Sequence, residues 1–376
     1  MTNPYDPQNP VKPNFFGGRR HILDAVAERI EKAKTQKQSG GILVYGYRGV
    51  GKTSLLTKIR SIISPDPSKP SSNTISIYRR LGKTTSDSEF YHIITEDLYE
   101  EIQQRKTVVQ KLKSVPDMIN SAKIMDIEFV RDANWSEKTP YHRWRSLVRN
   151  IQNADFILIA IDDADYLSAE ALGELKTVVE EHNNTPVVLV VSGGFEFEER
   201  LVADYSPIAR IFSGASFNLG EFKPEETKEV LQNPLVGSNT RWSEDGMREV
   251  QKFSGGYPYL VQCIASAAFR EDSTIDRPMV KASINAALDI GKGWLSHELS
   301  TASDIDIQSF LKIARSDKTT LQSKELSNIG IAPPYIGRLS QLGVLKKISR
   351  GRYTLMKPPI IAYYHAIKRG IKIENQ

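Results

Sequence analysis

The residues of this chain best placed to do chemistry are Lys52 and Thr53, because of what stands before them. Gly46-Tyr47-Arg48-Gly49-Val50-Gly51-Lys52-Thr53 comes directly after the apolar run Gly41-Ile42-Leu43-Val44-Tyr45. The pattern predicts a strand, a glycine-rich turn and a helix from Ser54 to Ile63, so that backbone N–H groups and the positive end of the helix converge on one anion. Gly46 and Gly51 permit backbone angles and a close approach that a Cβ would block, and Gly49 adds slack between them. Lys52 would neutralise β- and γ-phosphates, and the Thr53 hydroxyl would ligate Mg²⁺. With Ser54, residues 46–54 form the candidate phosphate-binding set, a P-loop. The bland alternative is an ordinary strand-to-helix turn.

A second group of candidates lies at the ends of two further apolar runs. Phe156-Ile157-Leu158-Ile159-Ala160-Ile161 leads into Asp162-Asp163, a buried strand ending in two carboxylates, which is the Walker B arrangement. In a parallel sheet the carboxyl ends of the strands open on the ligand crevice. Asp162 can therefore hold magnesium opposite Thr53, directly or through water, while Asp163 would polarise an attacking water. Aspartate also starts helices, and Asp165 or Ser168 is an N-cap candidate for the next helix. Val187-Val188-Leu189-Val190-Val191 ends in Ser192-Gly193-Gly194. Ser192 is either a hydrogen-bonding partner for the lytic water or γ-phosphate, or a plain turn serine.

The elements that must position these residues read as alternating strands and helices. A helix with Ile22, Leu23, Val26 and Ile30 on one face ends in the polar stretch from Lys32 to Gly40. Thr74 to Arg80 is a predicted strand and Glu89 to Lys113 a long helix; Pro65 to Asn73 is a turn region, and the charged segment running to Trp135 has poor periodicity. Helices are expected around Trp144 to Ile151, over Ala171 to Glu181 and over Phe195 to Val202, with a fifth strand at Ala215 to Leu219. This alternation implies a parallel sheet covered on both faces. Before it all, Met1 to Asn14 reads as an irregular leader, since Pro4, Pro7, Pro10 and Pro13 deny it regular structure.

The 376 residues, 40% hydrophobic and 25% charged, suit two or three folded domains. A single cysteine, Cys263, excludes an internal disulfide framework, and the six histidines are too scattered in sequence for a zinc site. The start of the chain is not basic then apolar, and no run approaches a membrane span, so a cytoplasmic protein is expected. Charge is uneven. From Ile336 to Gln376 nine Lys or Arg face one acid, a net +8, which leaves the other residues at −3 of the overall +5. Here Thr301 to Ile313, Ser323 to Ile329 and Tyr335 to Leu342 read as helices, and Val344 to Leu355 as strand, turn around Gly351, and strand. That is the winged-helix order. Arg338, Lys346, Lys347, Arg350 and Arg352 could meet phosphates of duplex DNA, with Gln341 or Tyr335 near base edges. Closure on nucleotide, contact with protein, or simple solvation of the wing are the other readings.

Together these residues resemble the AAA+ superfamily, and within it the STAND and Orc1/Cdc6-like ATPases, over most of Phe15 to Lys357. The likeness rests on Phe-Gly-Gly-Arg at Phe16 to Arg19, the two Walker stretches, Ser192 in the sensor-1 place, and Phe253-Ser254-Gly255-Gly256-Tyr257-Pro258-Tyr259-Leu260. The last is similar to the Gly-x-Pro segment of STAND lids, which implies that Pro258 packs on adenine. Glu225 to Leu231, Glu244 to Phe253 and Tyr259 to Phe269 read as lid helices. The resemblance implies an α/β P-loop NTPase core of AAA+ type over 15–222, a helical lid over 223–295 and a winged-helix domain over 300–376, with 1–14 as leader. It implies an ATP-hydrolysing switch using ATP/ADP and Mg²⁺, with Lys52, Asp162, Asp163 and Ser192 catalytic. Self-assembly in the ATP state, a setting in bacterial defence or a mobile element, and a separate effector protein are also implied by it. The alternative is an Orc1/Cdc6-like DNA-binding initiator or loader. Asp163 replaces the usual glutamate, which implies slow hydrolysis, and the Gly-x-Pro lid in place of a sensor-2 arginine favours the STAND side. Arg210 stands where AAA+ members extend an arginine finger, or else forms a surface ion pair.

Overall fold

Runs of five to seven apolar residues without a polar interruption are too short for helices and have no solvent face, so they must be strands buried on both sides. The computed structural model bears this out. It describes residues 2–63, 73–113, 138–181, 185–203, 206–316 and 318–372, and the expected Pro65–Asn73 turn region (except Asn73) and the whole charged segment from 114 to Trp135 fall outside these. The chain divides into two units, Arg19–Gly220 and Met1–Gly18 with Glu221–Gln376.

In the unit Arg19–Gly220 the elements are α1 (Arg20–Gln36), β1 (Gly40–Tyr45), α2 (Lys52–Ile63), β2 (Thr74–Arg80), α3 (Asp87–Lys113), α4 (Pro140–Arg149), β3 (Phe156–Asp162), α5 (Ala169–Glu180), β4 (Val187–Gly193), α6 (Phe195–Ala203), α7 (Ser206–Ala209) and β5 (Ser216–Asn218). The five strands form one parallel sheet in the order β2-β3-β4-β1-β5. Every residue of β3 and β4 is buried. Register then does the positioning. Val44 lies opposite Ser192, Ile161 opposite Val191, and Arg80 opposite Asp162, so the carboxyl ends of β2, β3, β4 and β1 finish in one row. Behind that row Ile75, Ile77, Phe90, Tyr91 and Trp144 pack into the core between the sheet and α3 and α4. Ser168 is the N-cap of α5, its hydroxyl accepting from Ala171 N at 3.1 Å. Asp165 is not a cap; its carboxylate accepts from Gly194 N at 2.9 Å.

The other unit carries α8 (Pro224–Gln232), β6 (Arg241–Trp242), α9 (Glu244–Ser254), α10 (Pro258–Ala268), β7 (Thr274–Ile275) and α11 (Arg277–Leu295). The leader is irregular up to a short 3₁₀ turn at Pro13–Phe15, yet Tyr5 is buried: its hydroxyl donates to Leu231 O at 2.5 Å and accepts from Trp242 Nε1 at 2.8 Å. The segment is therefore anchored to α8 and β6. Between α9 and α10, Gly256 has φ +77, and a Cβ there would stand 2.3 Å from Phe222 O. Only glycine fits this turn.

Further on come α12 (Asp304–Arg315), β8 (Thr320–Gln322), α13 (Ser323–Asn328), α14 (Pro333–Gln341), β9 (Leu345–Ser349), β10 (Arg352–Leu355) and α15 (Pro359–Lys368), with the strands antiparallel in the order β8-β10-β9. Asp306, with no exposed side-chain surface, accepts two bonds from Arg338, at 2.8 and 2.7 Å, and also caps the start of α12 with Ser303. Arg338 beside it holds the Asp306 carboxyl well below the usual carboxylate range. Among the described residues no helix is long and apolar enough to cross a membrane.

A carboxylate whose folded pKa is depressed stabilises the fold above its unfolded pKa and loses that contribution as the pH falls through the folded value. Asp306→Ala should therefore lower the urea midpoint at neutral pH. The gap between variant and parent should narrow as the pH drops below about 4. Urea titrations at a series of pH values, monitored by circular dichroism, read both effects.

Candidate nucleotide site

The glycine-rich turn Gly46–Gly51 joins β1 to α2, and the helical ladder begins with Leu55 N donating to Gly51 O at 3.0 Å. The N–H groups of a helix's first turn have no intrahelical acceptor, and with the macrodipole they suit an anion. Gly46 is tightly placed: its N–H donates to Gly193 O at 3.2 Å, and a Cβ on it would meet Leu219 O at 2.5 Å. Val50 is buried beneath the turn, whereas Tyr47 and Arg48 are exposed. The Tyr47 ring lies on Phe195 at the start of α6, with centroids 4.6 Å apart.

Lys52 Nζ donates to Gly46 O at 2.8 Å and to Tyr47 O at 3.1 Å. Burial pushes its ammonium below the ordinary lysine value, and the nearby charges of Asp163, Asp165 and Asp162 oppose that shift. Thr53 Oγ1 donates to Asp162 Oδ2 at 2.6 Å. Asp162 itself has no exposed surface. Its Oδ1 accepts from Ser192 Oγ, and its Oδ2 accepts a further bond from the Tyr78 hydroxyl at 3.2 Å. Three hydroxyls thus meet one buried carboxylate. Thr53 and Asp162 offer hard oxygen donors side by side, the ligand type Mg²⁺ takes when it keeps most of its waters and shares phosphate oxygens.

Asp163 sits differently. It is partly exposed and left-handed, with φ 56, a region aspartate tolerates better than most residues. Its N–H donates to Ser192 Oγ at 3.3 Å, and its Oδ2 pairs with Arg80 Nε at 2.8 Å. Two neighbouring carboxylates therefore face different partners: one immobilised by neutral donors, the other held by a guanidinium that is itself mostly exposed.

Of the residues singled out from sequence, the structure brings together Gly46 to Ser54, Asp162, Asp163 and Ser192. Arg210 is exposed on a short 3₁₀ turn, Arg210–Phe212, just before β5, with no ion pair among the described residues. Pro258 is buried at the start of α10, in the other unit. Lys346, Lys347, Arg350 and Arg352 are exposed on β9, its turn and β10, whereas the Arg338 guanidinium is engaged by Asp306. Tyr78 and Arg80 were missed by the motif reading. Their signal lies in alternation: both occupy the same face of β2, at its carboxyl end, beside the strand that carries Asp162.

Residues 16–191 match the AAA ATPase domain family. No curated protein sequence matches the chain. Among solved structures it is similar to the Aeropyrum pernix ORC2 protein in its ADPNP–ADP complexes, with 14% identity and a TM-score of 0.53 over 96% of this chain and 98% of that one. The Aeropyrum pernix ORC1 protein in complex with DNA gives 15% identity and 0.48 over 94% and 93%. Cdc6p from Pyrobaculum aerophilum gives 15% and 0.47 over 99% and 98%. The likeness to the ORC2 protein is one of fold.

Ser192→Ala leaves Asp162 Oδ1 buried without its donor. The expected cost is about 2 kcal/mol of stability, in the range for a lost hydrogen bond to a charged group. Denaturant unfolding of the variant beside the parent measures it. The chain thus carries, over residues 16–191, a domain similar to the AAA ATPase domain family, on the parallel α/β scaffold of P-loop AAA+ ATPases.

Proposed function

We propose that the protein binds and hydrolyses ATP as an AAA+ switch whose nucleotide state governs its C-terminal domain. The observation that carries this is the row made by Lys52, Thr53, Asp162 and Ser192, in which a phosphate-type turn and a buried carboxylate share one edge of a parallel sheet. Lys52 would exchange two neutral carbonyl acceptors for phosphate oxygens, a gain because those oxygens carry the opposite charge. Thr53 and Asp162 would hold Mg²⁺, which when bound screens the phosphate charges and orients the triphosphate. Asp163, whose Oδ2 pairs with Arg80, would polarise the attacking water. An aspartate reaches less far than a glutamate, which fits slow turnover. Ser192 would mark the γ-phosphate end of the site, and Arg210, being exposed, is available to a neighbouring subunit in an ATP-state oligomer.

Only contacts that differ between the two nucleotide states can shift a conformational equilibrium. The γ-phosphate, near Lys52, Asp163 and Ser192, is the group whose loss would do so. The STAND-type reading, with a separate effector protein, rests on the Gly-Gly-x-Pro turn at Gly255 to Pro258. The Orc1/Cdc6-like reading, in which duplex DNA is the principal ligand, has at least equal support. It is favoured by the exposed bases Lys346, Lys347, Arg350 and Arg352 on a strand-turn-strand that comes after α12, α13 and α14 in winged-helix order.

Lys52→Ala should weaken ATP binding by at least about a hundredfold, since two or more charge-assisted bonds are lost. Calorimetry with Mg²⁺ measures this, and a variant that still turns over ATP at the parental rate would overturn the assignment. For the DNA reading, duplex affinity should fall steeply with salt. Changing Arg350 and Arg352 together to Ala should reduce the slope of log affinity against log salt by about 1.8, two phosphate contacts' worth. Parent protein that ignores duplex DNA at low salt removes that reading and leaves the ATPase in place.

A further inference from the structure

We propose that Tyr78 is a positioning residue for the magnesium-binding carboxylate, acting through Asp162 rather than on the nucleotide. The inference rests on the ATPase reading above. Strand β2 is the edge strand beside β3, and along it Thr74, Ser76, Tyr78 and Arg80 share one face while Ile75 and Ile77 enter the core on the other. A polar face on a strand packed inside a domain needs a reason. At the carboxyl end that face supplies the Tyr78 hydroxyl to Asp162 and the Arg80 guanidinium to Asp163.

The three donors on Asp162 are not equivalent. Ser192 fixes Oδ1 from β4. Thr53 and Tyr78 share Oδ2, and Thr53 is itself a candidate cation ligand, so its geometry must follow the cation. Tyr78 is the donor on that oxygen anchored in the sheet and outside the P-loop. It can keep the carboxylate plane in place while Thr53 changes partners. A phenylalanine would fill the same space, so the hydroxyl is the part that packing alone leaves unexplained. Hydrogen bonds behind a metal ligand orient it, and their loss commonly costs metal affinity.

The test is calorimetric titration of the full chain with a non-hydrolysable ATP analogue, once in excess Mg²⁺ and once in EDTA. In the parent, Mg²⁺ should tighten binding by a measurable factor. In Tyr78→Phe that factor should shrink about tenfold, with the affinity in EDTA within about twofold of the parent. An unchanged factor overturns the proposal, as does an equal loss in both buffers, which marks a purely structural role. Parent protein that binds no nucleotide in either buffer overturns the ATPase reading instead. If thermal melting shows Tyr78→Phe to be unfolded, Tyr78→Met, which keeps an apolar filling without a hydroxyl, carries the same comparison.

Discussion

The site depends on keeping a charged carboxylate, Asp162, entirely out of water. An ionised carboxylate in such a place costs several kcal/mol unless its oxygens are met by donors. Here three hydroxyls from three different stretches, Thr53 after the glycine-rich turn, Tyr78 on β2 and Ser192 on β4, meet it at once. Displacing any one of those stretches takes a donor away from the carboxylate. The parallel register that levels Arg80, Asp162 and Ser192 is thus part of the electrostatics as well as of the topology. A one-residue slip in β3 would turn the aspartate to the opposite face of the sheet.

The next residue shows how far environment alone separates two identical side chains. Asp163 leaves the strand in a left-handed turn, keeps partial access to solvent and pairs with Arg80. A carboxylate fixed by neutral hydroxyls suits a fixed ligand, whereas one held by a single exposed guanidinium can exchange that partner at little cost, since exposed ion pairs contribute only about 0–1 kcal/mol. The same logic governs Lys52, whose amine rests on two main-chain carbonyls. Lys52 and Asp163 are thus held by partners that can be exchanged, whereas Asp162 is held three times over.

Much of the site was legible in the sequence because the signals are local. The glycine spacing of Gly46 to Gly51, the apolar strands ending in Asp162 and Ser192, and the strand Thr74 to Arg80 need no tertiary knowledge, and each falls where expected. The part that was not legible depends on strands meeting across long stretches of chain. Tyr78 and Arg80 look like ordinary strand residues until β2 is laid beside β3. Asp165, weighed as a helix cap, instead closes on Gly194 across two strand ends. Tyr5, in a leader whose prolines promise only irregularity, proves to be a buried anchor because Trp242 and Leu231 offer it two hydrogen bonds, and nothing in its neighbours in sequence announces that.

Arg338 carries the same lesson to the basic tail. Counted by sequence it is one positive charge among nine, on a helix suited to meeting nucleic acid. In the fold its guanidinium is spoken for by Asp306, a carboxylate buried at the start of α12, and that pair joins α12 to α14. Leaving it for a phosphate would strand a buried acid, so the helix cannot turn this charge outward without loosening its own domain. The β9–β10 hairpin is under no such restraint: Lys346 and Lys347 on β9 and Arg350 in the turn are exposed, and no acid pairs with them among the described residues. Positive charge that the fold does not consume is the charge left open to solvent, and it gathers on the β9–β10 hairpin rather than on α14.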